Sequence, residues 1–420
     1  MMSADLISIG ALLVMFVVGT VLPINLGILA FVATFAVGTL SLGLSEDELL
    51  QGFPVTLFVT IVGVTYLFAI ARRNGTIDLL VGAGVRLVRG RVALIPWVLF
   101  LIAAVLTAFG TFTPAAVAML VPIGMNFAFK YKINPLMVGM MVISGGHAGA
   151  FSPLAVSGAL VLDMVDAADV PSVSPATLFF ASFAINTLLS VITFLLLRGR
   201  VVPLSTDPQD EAAGQDEDAA AEGVTWQQLL TLAMLGMLIV GAVGFHLEIG
   251  FLALGAGALL ALLDMKRQEK AVDGVSWNTL LLVAGMMTYI AMLEHAGVID
   301  KISESAAGMG TPLVVALLLC FTVAVTSAFA SSTAILTAII PIAIPLLLSG
   351  QLSAAGVVAA LAVSTTIVDV SPFSTNGALV LANVRGVDRQ RFYRQVIGYT
   401  LATVGIGPVV AWGALVLPFS

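Results

Sequence analysis

The amino-acid sequence predicts an all-α integral membrane protein made of two inverted structural repeats, each holding one re-entrant hairpin and one broken helix. Three observations predict it. Of 420 residues, 60% are hydrophobic and 10% charged, and the mean hydropathy is +1.10, beyond ordinary soluble composition. The stretches Ser152-Pro-Leu-Ala-Val-Ser-Gly-Ala-Leu-Val-Leu162 and Ser371-Pro-Phe-Ser-Thr-Asn-Gly-Ala-Leu-Val-Leu381 match at seven of eleven positions, 219 residues apart. Each puts a proline and small polar residues in the middle of a long apolar segment, where a continuous membrane helix holds neither.

Taken in order, apolar segments of roughly spanning length fall at 6–21, 26–42, 53–71, 92–109, 115–129, 136–162, 176–197, 226–243, 249–263, 277–293, 313–329, 334–348, 354–381 and 396–417. The first has no basic residue before it and is followed at once by the second, so it reads as a mature helix and not a cleaved leader. Two pairs are separated only by a few small polar residues, Thr111-Phe112-Thr113-Pro114 and Ser331-Ser332-Thr333. These read as hairpins, 92–129 and 312–349, whose tips stop inside the membrane. The broken helices are 136–165 and 353–384. The N-terminal repeat thus occupies 1–200 and the C-terminal repeat 226–420. Between them, 201–225 is rich in Asp, Glu and Ala and reads as a disordered acidic linker. Cys320 is the only cysteine and sits in an apolar run, which leaves no disulfide framework and no thiol metal site.

Charge orients the chain. With ten crossings, two hairpins and an outside N-terminus, one side collects every Lys and Arg except Lys301, from Arg72 and Arg73 through Lys130 and Lys270 to Arg394. That side is cytoplasmic by the positive-inside rule, which makes the linker cytoplasmic and both termini extracytoplasmic. In the same topology Phe53 to Leu80 runs opposite to Ser276 to Ile302, which shares Thr-Tyr and Gly-x-Ile-Asp with it, and Pro122-Ile123 corresponds to Pro341-Ile342. An inverted repeat with interrupted helices at matching places points to alternating access. The stretches 74–90 and 297–310 are amphipathic or polar and read either as interfacial helices leading to each hairpin or as plain connecting loops.

The run from Gly52 to Asp78, with Pro114-Ala-Ala-Val-Ala118 and Phe151-Ser-Pro153, resembles the N-terminal domain of malonate carriers of the MatC type. The overall plan is similar to the divalent anion/sodium symporters of the ion transporter superfamily, over nearly the whole chain. That resemblance implies hairpin tips with Ser-Asn-Thr motifs, an elevator motion of transport domains and a homodimer in the cell membrane. The second tip here is Ser331-Ser-Thr333 and the first is Phe112-Thr-Pro114, a larger departure.

The chemistry follows from what the interior lacks. None of the 17 Lys and Arg residues falls in a predicted membrane interior, so an anion there relies on half-helix N-termini, hydroxyls and bound cations. Half-helices are expected to start after Thr113, Ser332, Ser152 and Ser371. Thr113, Pro114, Gly146, His147, Ser332, Thr333, Ser374 and Thr375 are the expected substrate contacts. Thr111, Gly145, Gly149, Ser152, Ser157, Ser331, Thr366, Asp369, Ser371 and Asn376 offer oxygen ligands suited to two sodium ions, with Ser157 and Asn376 at equivalent places. Several residues carry a second reading: glycines 145, 146 and 149 as packing devices, His147 as a neutral bundle histidine, Asp369 as a bond to a helix end. Intramembrane acids are nevertheless functional by default.

The expected function is sodium-coupled import of a small dicarboxylate, malonate first among them, with no cofactor, no nucleic-acid partner, and sodium as the only metal. A proton-coupled carrier or a cation/proton antiporter of the same superfamily, using Asp369 and His147, is the alternative. No metal-ligand cluster, nucleophile–base pair or nucleotide loop supports a membrane enzyme.

Overall fold

A computed structural model describes residues 7, 8, 10–12, 14, 15, 18, 22, 24–87, 91–168, 170, 173–198, 224–245, 247–265, 269–298, 311–329 and 332–419. The acidic linker up to residue 223, Ser331, and the counterpart segment from 299 to 310 lie outside them. Among the described residues the structure is helical, without strands. Five helices among the described residues are long and apolar enough to cross a membrane, and shorter apolar helices accompany them; the protein is a multi-pass membrane protein.

The N-terminal half contains α1 (Leu26–Leu40), α2 (Glu46–Gln51), α3 (Val55–Arg73), α4 (Thr76–Leu87), α5 (Ile95–Ala108), α6 (Thr113–Lys130), α7 (Pro135–Gly149), α8 (Val156–Ala167) and α9 (Pro175–Leu197). The C-terminal half contains α10 (Trp226–Ile239), α11 (Ile249–Leu263), α12 (Trp277–His295), α13 (Pro312–Ser327), α14 (Ser332–Leu348), α15 (Ala354–Thr366), α16 (Thr375–Asn383) and α17 (Arg389–Leu415). Starts are set by local chemistry. Asn134 precedes Pro135 and accepts from the N–H groups of Leu136 and Met137, while Ser353 accepts from Gly356; an Asn or Ser cap with Pro at the first helical position is a strong start signal. Thr225 and Gln228 form a capping box at α10, immediately after the linker.

Helix starts repeat at one spacing: α6, α7 and α8 begin at 113, 135 and 156, and α14, α15 and α16 at 332, 354 and 375. Helix α3 packs on α11, and α1 on α12. In these pairs Gly63 meets Gly250 and Gly27 meets Gly285, so closely that a Cβ on any of them would overlap backbone; without a hydrophobic force between helices in lipid, small residues at a crossing are what allow tight van der Waals contact. The amphipathic stretch is realised as α4, with Ile77 and Val81 buried.

The two sequence halves do not pack as two separate bodies. Helix α7 lies against α5, α6 and α9, but after the break α8 packs on α14 of the other half. Conversely α15 lies with α13, α14 and α17, and after its break α16 packs on α6. One apolar cluster therefore joins Val156, Leu160 and Met164 to Ile335, Ile339 and Ala343, and another joins Val380 and Phe392 to Val117, Leu120 and Met125. The breaks sit where the halves exchange their second half-helices.

Candidate functional site

Both breaks are built on one backbone plan. In the first, 150–155, the Ser152 hydroxyl donates to the carbonyl of Ala108 at the end of α5 and accepts from the N–H of Leu154 at 3.1 Å. In the second, 367–374, Ser371 Oγ likewise accepts from Phe373 N–H at 3.2 Å. Gly158 and Gly377 then lie under the turn: a Cβ on either would overlap the carbonyl oxygen of Ser152 or Ser371. The serine and glycine that both copies of the repeated stretch share thus close the turn. Consequently the half-helices begin at Val156 and Thr375, four residues beyond the expected starts after Ser152 and Ser371. The starts at Thr113 and Ser332 fall at the tips themselves.

The polar groups converge on Asp369. Its Oδ2 accepts from Ser332 Oγ at 3.0 Å and from Asn376 Nδ2 at 2.9 Å, and lies 3.4 Å from His147 Nε2. Asn376 Nδ2 is also 3.4 Å from His147 Nε2. Four elements contribute: the end of α7, the second break, the first turn of α16 and the first residue of α14. His147 is 2% exposed, Asp369 3% and Asn376 0%. Among the described residues, Asp369 Oδ1, Asn376 Oδ1 and His147 Nδ1 have no partner. Buried polar atoms without partners are rare and call for a reason, and here three of them belong to side chains already bonded to one another. Two of the three are oxygens, of a carboxyl group and of an amide, donor types that suit a hard cation.

The other expected residues distribute as follows. Ser374 caps α16, accepting from Gly377 N–H, and its hydroxyl donates at 2.8 Å to Ser371 O, with Asp369 O at 3.0 Å; it shapes the loop that carries Asp369. Thr375 opens α16 and is exposed, while Thr333 is buried one residue into α14. Thr366 bonds back to Ala362 at 3.1 Å. At the first tip Thr113 Oγ1 reaches Gly146 O at 3.5 Å, Pro114 takes the first turn of α6, and Thr111 Oγ1 is buried without a partner among the described residues. Ser157 stands in the first turn of α8 as Asn376 does in that of α16. Gly145 and Gly149 turn their hydrogens onto the backbone of Phe100 and Ala104, and Gly146 onto Thr113; all three have a packing role in the crossing of α7 with α5 and α6.

Two buried residues in α9 extend this site. Ser182 donates to the carbonyl of His147 at 2.9 Å, and Asn186 Nδ2 donates to Ser182 O at 3.0 Å. Ser182, Asn186 and Ser190, all 0% exposed, recur every four residues in an apolar helix, and that spacing marks one polar face. Through Ser182, α9 holds the turn of α7 that carries His147.

Residues 2–150 match the family described as "Dicarboxylate carrier protein MatC N-terminus", the part of the chain on which most of the resemblance to MatC-type carriers rests. No curated protein matches the sequence. Among solved structures the YdaH transporter of Alcanivorax borkumensis is similar, with a TM-score of 0.62, 14% identity and 97% of each chain covered. At that identity the likeness is one of fold, and it extends over essentially the whole of both chains.

Proposed function

We propose that this protein is a secondary active transporter that imports a small dicarboxylate, malonate first among candidates, with sodium as the coupling ion and alternating access as its mechanism. The N-terminal match to a dicarboxylate carrier family and the transporter fold support the class. The recurring helix starts support an inverted repeat, and the exchange of half-helices supports an elevator in which both hairpins and both broken helices move as one body. A homodimer, a cytoplasmic basic face and extracytoplasmic termini belong to the same reading, and no cofactor is required.

One observation carries the coupling: a buried aspartate stands at the centre of a site meant for a dianion. Two unit charges of like sign 4 Å apart repel by about 4 kcal/mol even at an effective dielectric of 20, so a dicarboxylate beside ionised Asp369 needs a compensating cation. Sodium on Asp369 Oδ1 and Asn376 Oδ1 supplies it, and the unpartnered state of those atoms is what a coupling-ion site needs. Binding of ion and anion is then reciprocal, each raising the affinity of the other by the same factor. The 3.4 Å approach of His147 to Asp369 favours a second reading, in which the pair holds a proton between them and the carrier is proton-coupled or a cation/proton antiporter.

Uptake of labelled malonate into proteoliposomes, with sodium and pH gradients imposed separately, tests the proposal. The expected result is accumulation driven by sodium, not by potassium at equal ionic strength. Accumulation that follows the pH gradient and ignores sodium establishes the second reading. Sodium- and proton-indifferent vesicles that take up no dicarboxylate defeat both.

A further inference from the structure

Helices α9 and α17 are the two least buried of the five spans. Each packs on α15, and they meet where Tyr399 OH lies 2.8 Å from Thr193 Oγ1. Between them runs a groove of about 250 Å³, walled by Leu188, Ile192 and Leu196 on α9 and by Ala402, Ile406 and Val410 on α17, with Ile367 also in its lining. Ile367 directly follows α15, is 4% exposed and stands two residues before Asp369. We infer that this groove is the binding site of one acyl chain of a membrane lipid, and that the chain braces Ile367 and with it the second break.

The lining and the solvent of that face decide the occupant. Leu188, Ile192, Leu196, Ile406 and Val410 are 38–63% exposed, and on two membrane spans that exposure is to lipid. The hydroxyls in the lining are already spent. Thr193 Oγ1 donates to Leu189 O at 2.8 Å, which leaves the Tyr399 hydroxyl to donate to Thr193, and Thr403 Oγ1 donates to Thr400 O at 2.9 Å. With each single hydroxyl proton engaged, no side-chain donor in the groove is left to hold water, a headgroup or a peptide. Bare main chain at hydrocarbon depth is ruled out in any case. An empty groove forfeits the dispersion contacts of every atom that lines it, and an alkyl chain, which the bilayer supplies, restores them without needing a hydrogen bond. The route to the break is short. Ile367 shares an apolar cluster with Ile185 and Ala411, and Gly407 faces it so closely that a Cβ there would overlap Ile367 Cδ1. The next residue of α17, Pro408, lies inside the helix and forfeits one ladder bond, which makes this stretch the pliable part of that wall. The inference rests on the proposed function only where sodium binding is its readout.

Photolabelling tests the site without requiring transport. Full-length protein is placed in phosphatidylcholine nanodiscs containing a phospholipid with a mid-chain diazirine, irradiated, and mapped by mass spectrometry. Adducts on the groove walls should exceed those at Val32 and Phe35, exposed positions on α1, by at least about fourfold, which roughly six additional carbon–carbon contacts are worth. Ala402→Trp, which plugs the groove, should bring the two to parity, and Ala402→Leu serves if that variant does not accumulate. Equal labelling of groove and α1, or labelling untouched by the plug, overturns the site. So does a disulfide between two copies through Leu188→Cys in a Cys320→Ala background, which would make the groove a protein interface. Bracing is read from hydrogen exchange at the amides of 367–374. In a bile-salt detergent, which has no alkyl chain, the unaltered protein should lose protection there and regain it when phosphatidylcholine is added, while Ala402→Trp keeps it in both. Break amides indifferent to lipid overturn the bracing. Sodium titrated calorimetrically in the same two states separates this inference from the proposed function. Sodium affinity that follows protection ties the groove to the Asp369 site; protection that responds to lipid while no sodium binds in either state upholds the groove and counts against the sodium reading.

Discussion

At the first break Ala150, Ala155 and Ser157 stand where the second break has Asp369, Ser374 and Asn376. The backbones are alike: the same Ser-to-N–H turn, the same glycine under a serine carbonyl, half-helices that start at equivalent residues. The side chains that reach the interior are not. At the second break a carboxylate, an amide and a capping hydroxyl form a connected network, while the first break contributes little beyond its backbone. Repetition of sequence has therefore preserved the device that interrupts a helix in a membrane and left charge at one copy only. The difference separates two jobs, opening the backbone and, in the proposed function, binding a coupling ion, that a symmetric reading of the repeat merges.

The largest expected effect removes the charge. Asp369→Asn keeps the shape and should abolish cation-driven malonate uptake, lowering it by at least about 100-fold, a change that corresponds to about 2.8 kcal/mol; Ala150→Asp in that background should not restore it. Recovery of uptake by the moved acid would show that the two breaks are interchangeable. Next come Gly158→Ala and Gly377→Ala, which should both lower the folded, detergent-stable yield, and to a similar extent, because in each the new methyl meets a backbone carbonyl that cannot move aside. A large loss at Gly377 and none at Gly158, measured by size-exclusion chromatography, would show that the backbones are not equivalent after all.

Sharper discrimination comes from amide against hydroxyl. Asn376→Ala removes a 2.9 Å bond to Asp369 and an unpartnered oxygen, a loss of about 1.5–3 kcal/mol for a bond to a charged group, or roughly ten- to a hundred-fold in sodium affinity. Ser157→Ala should cost less than threefold in the same calorimetric titration. The smallest contrast is at the tips. Ser332→Ala loses a bond to the Asp369 carboxylate and should weaken malonate binding about tenfold, whereas Thr113→Ala loses only a 3.5 Å contact to a carbonyl and should change it by less than a factor of two. Equal losses in the two variants would place the anion midway between the tips.

Much of this architecture is legible in the chain because membrane helices tolerate few exceptions. Prolines are accommodated inside α6, α14 and α17, whereas Ser-Pro followed by small polar residues and a glycine in an apolar run announces the breaks at Ser152 and Ser371, and a few small polar residues between apolar runs announce the tips at Thr113 and Ser332. Asp369 stands out as an acid inside an apolar segment, and His147 as a neighbour of a break. Which atoms serve which purpose is not legible. The Ser152 hydroxyl is spent on Ala108, 44 residues earlier, and the bonding of His147 to Asn376 spans 229 residues. Ser182 and Asn186 are hidden because α9 reads as one more apolar span until their four-residue spacing is considered. The packing of Gly145 and Gly149 against α5 depends on which face of α7 turns that way, and a helix apolar all round does not declare its faces.

The exchange of half-helices sets an order of events during synthesis. Helix α8 packs on α14, whose sequence is made only after roughly 165 further residues, a wait on the order of ten seconds at ordinary elongation rates. Until then Val156, Leu160 and Met164 lack their partners on α14, and the first break is braced only from its own half, through the bond of Ser152 to Ala108. Helix α16, by contrast, emerges to find α6 already in place. The nascent chain thus passes through a stage in which its first half is inserted and unfinished, and the N-terminal half made alone would stop at that stage with the face of α8 open to lipid, chaperone or a stray copy of itself.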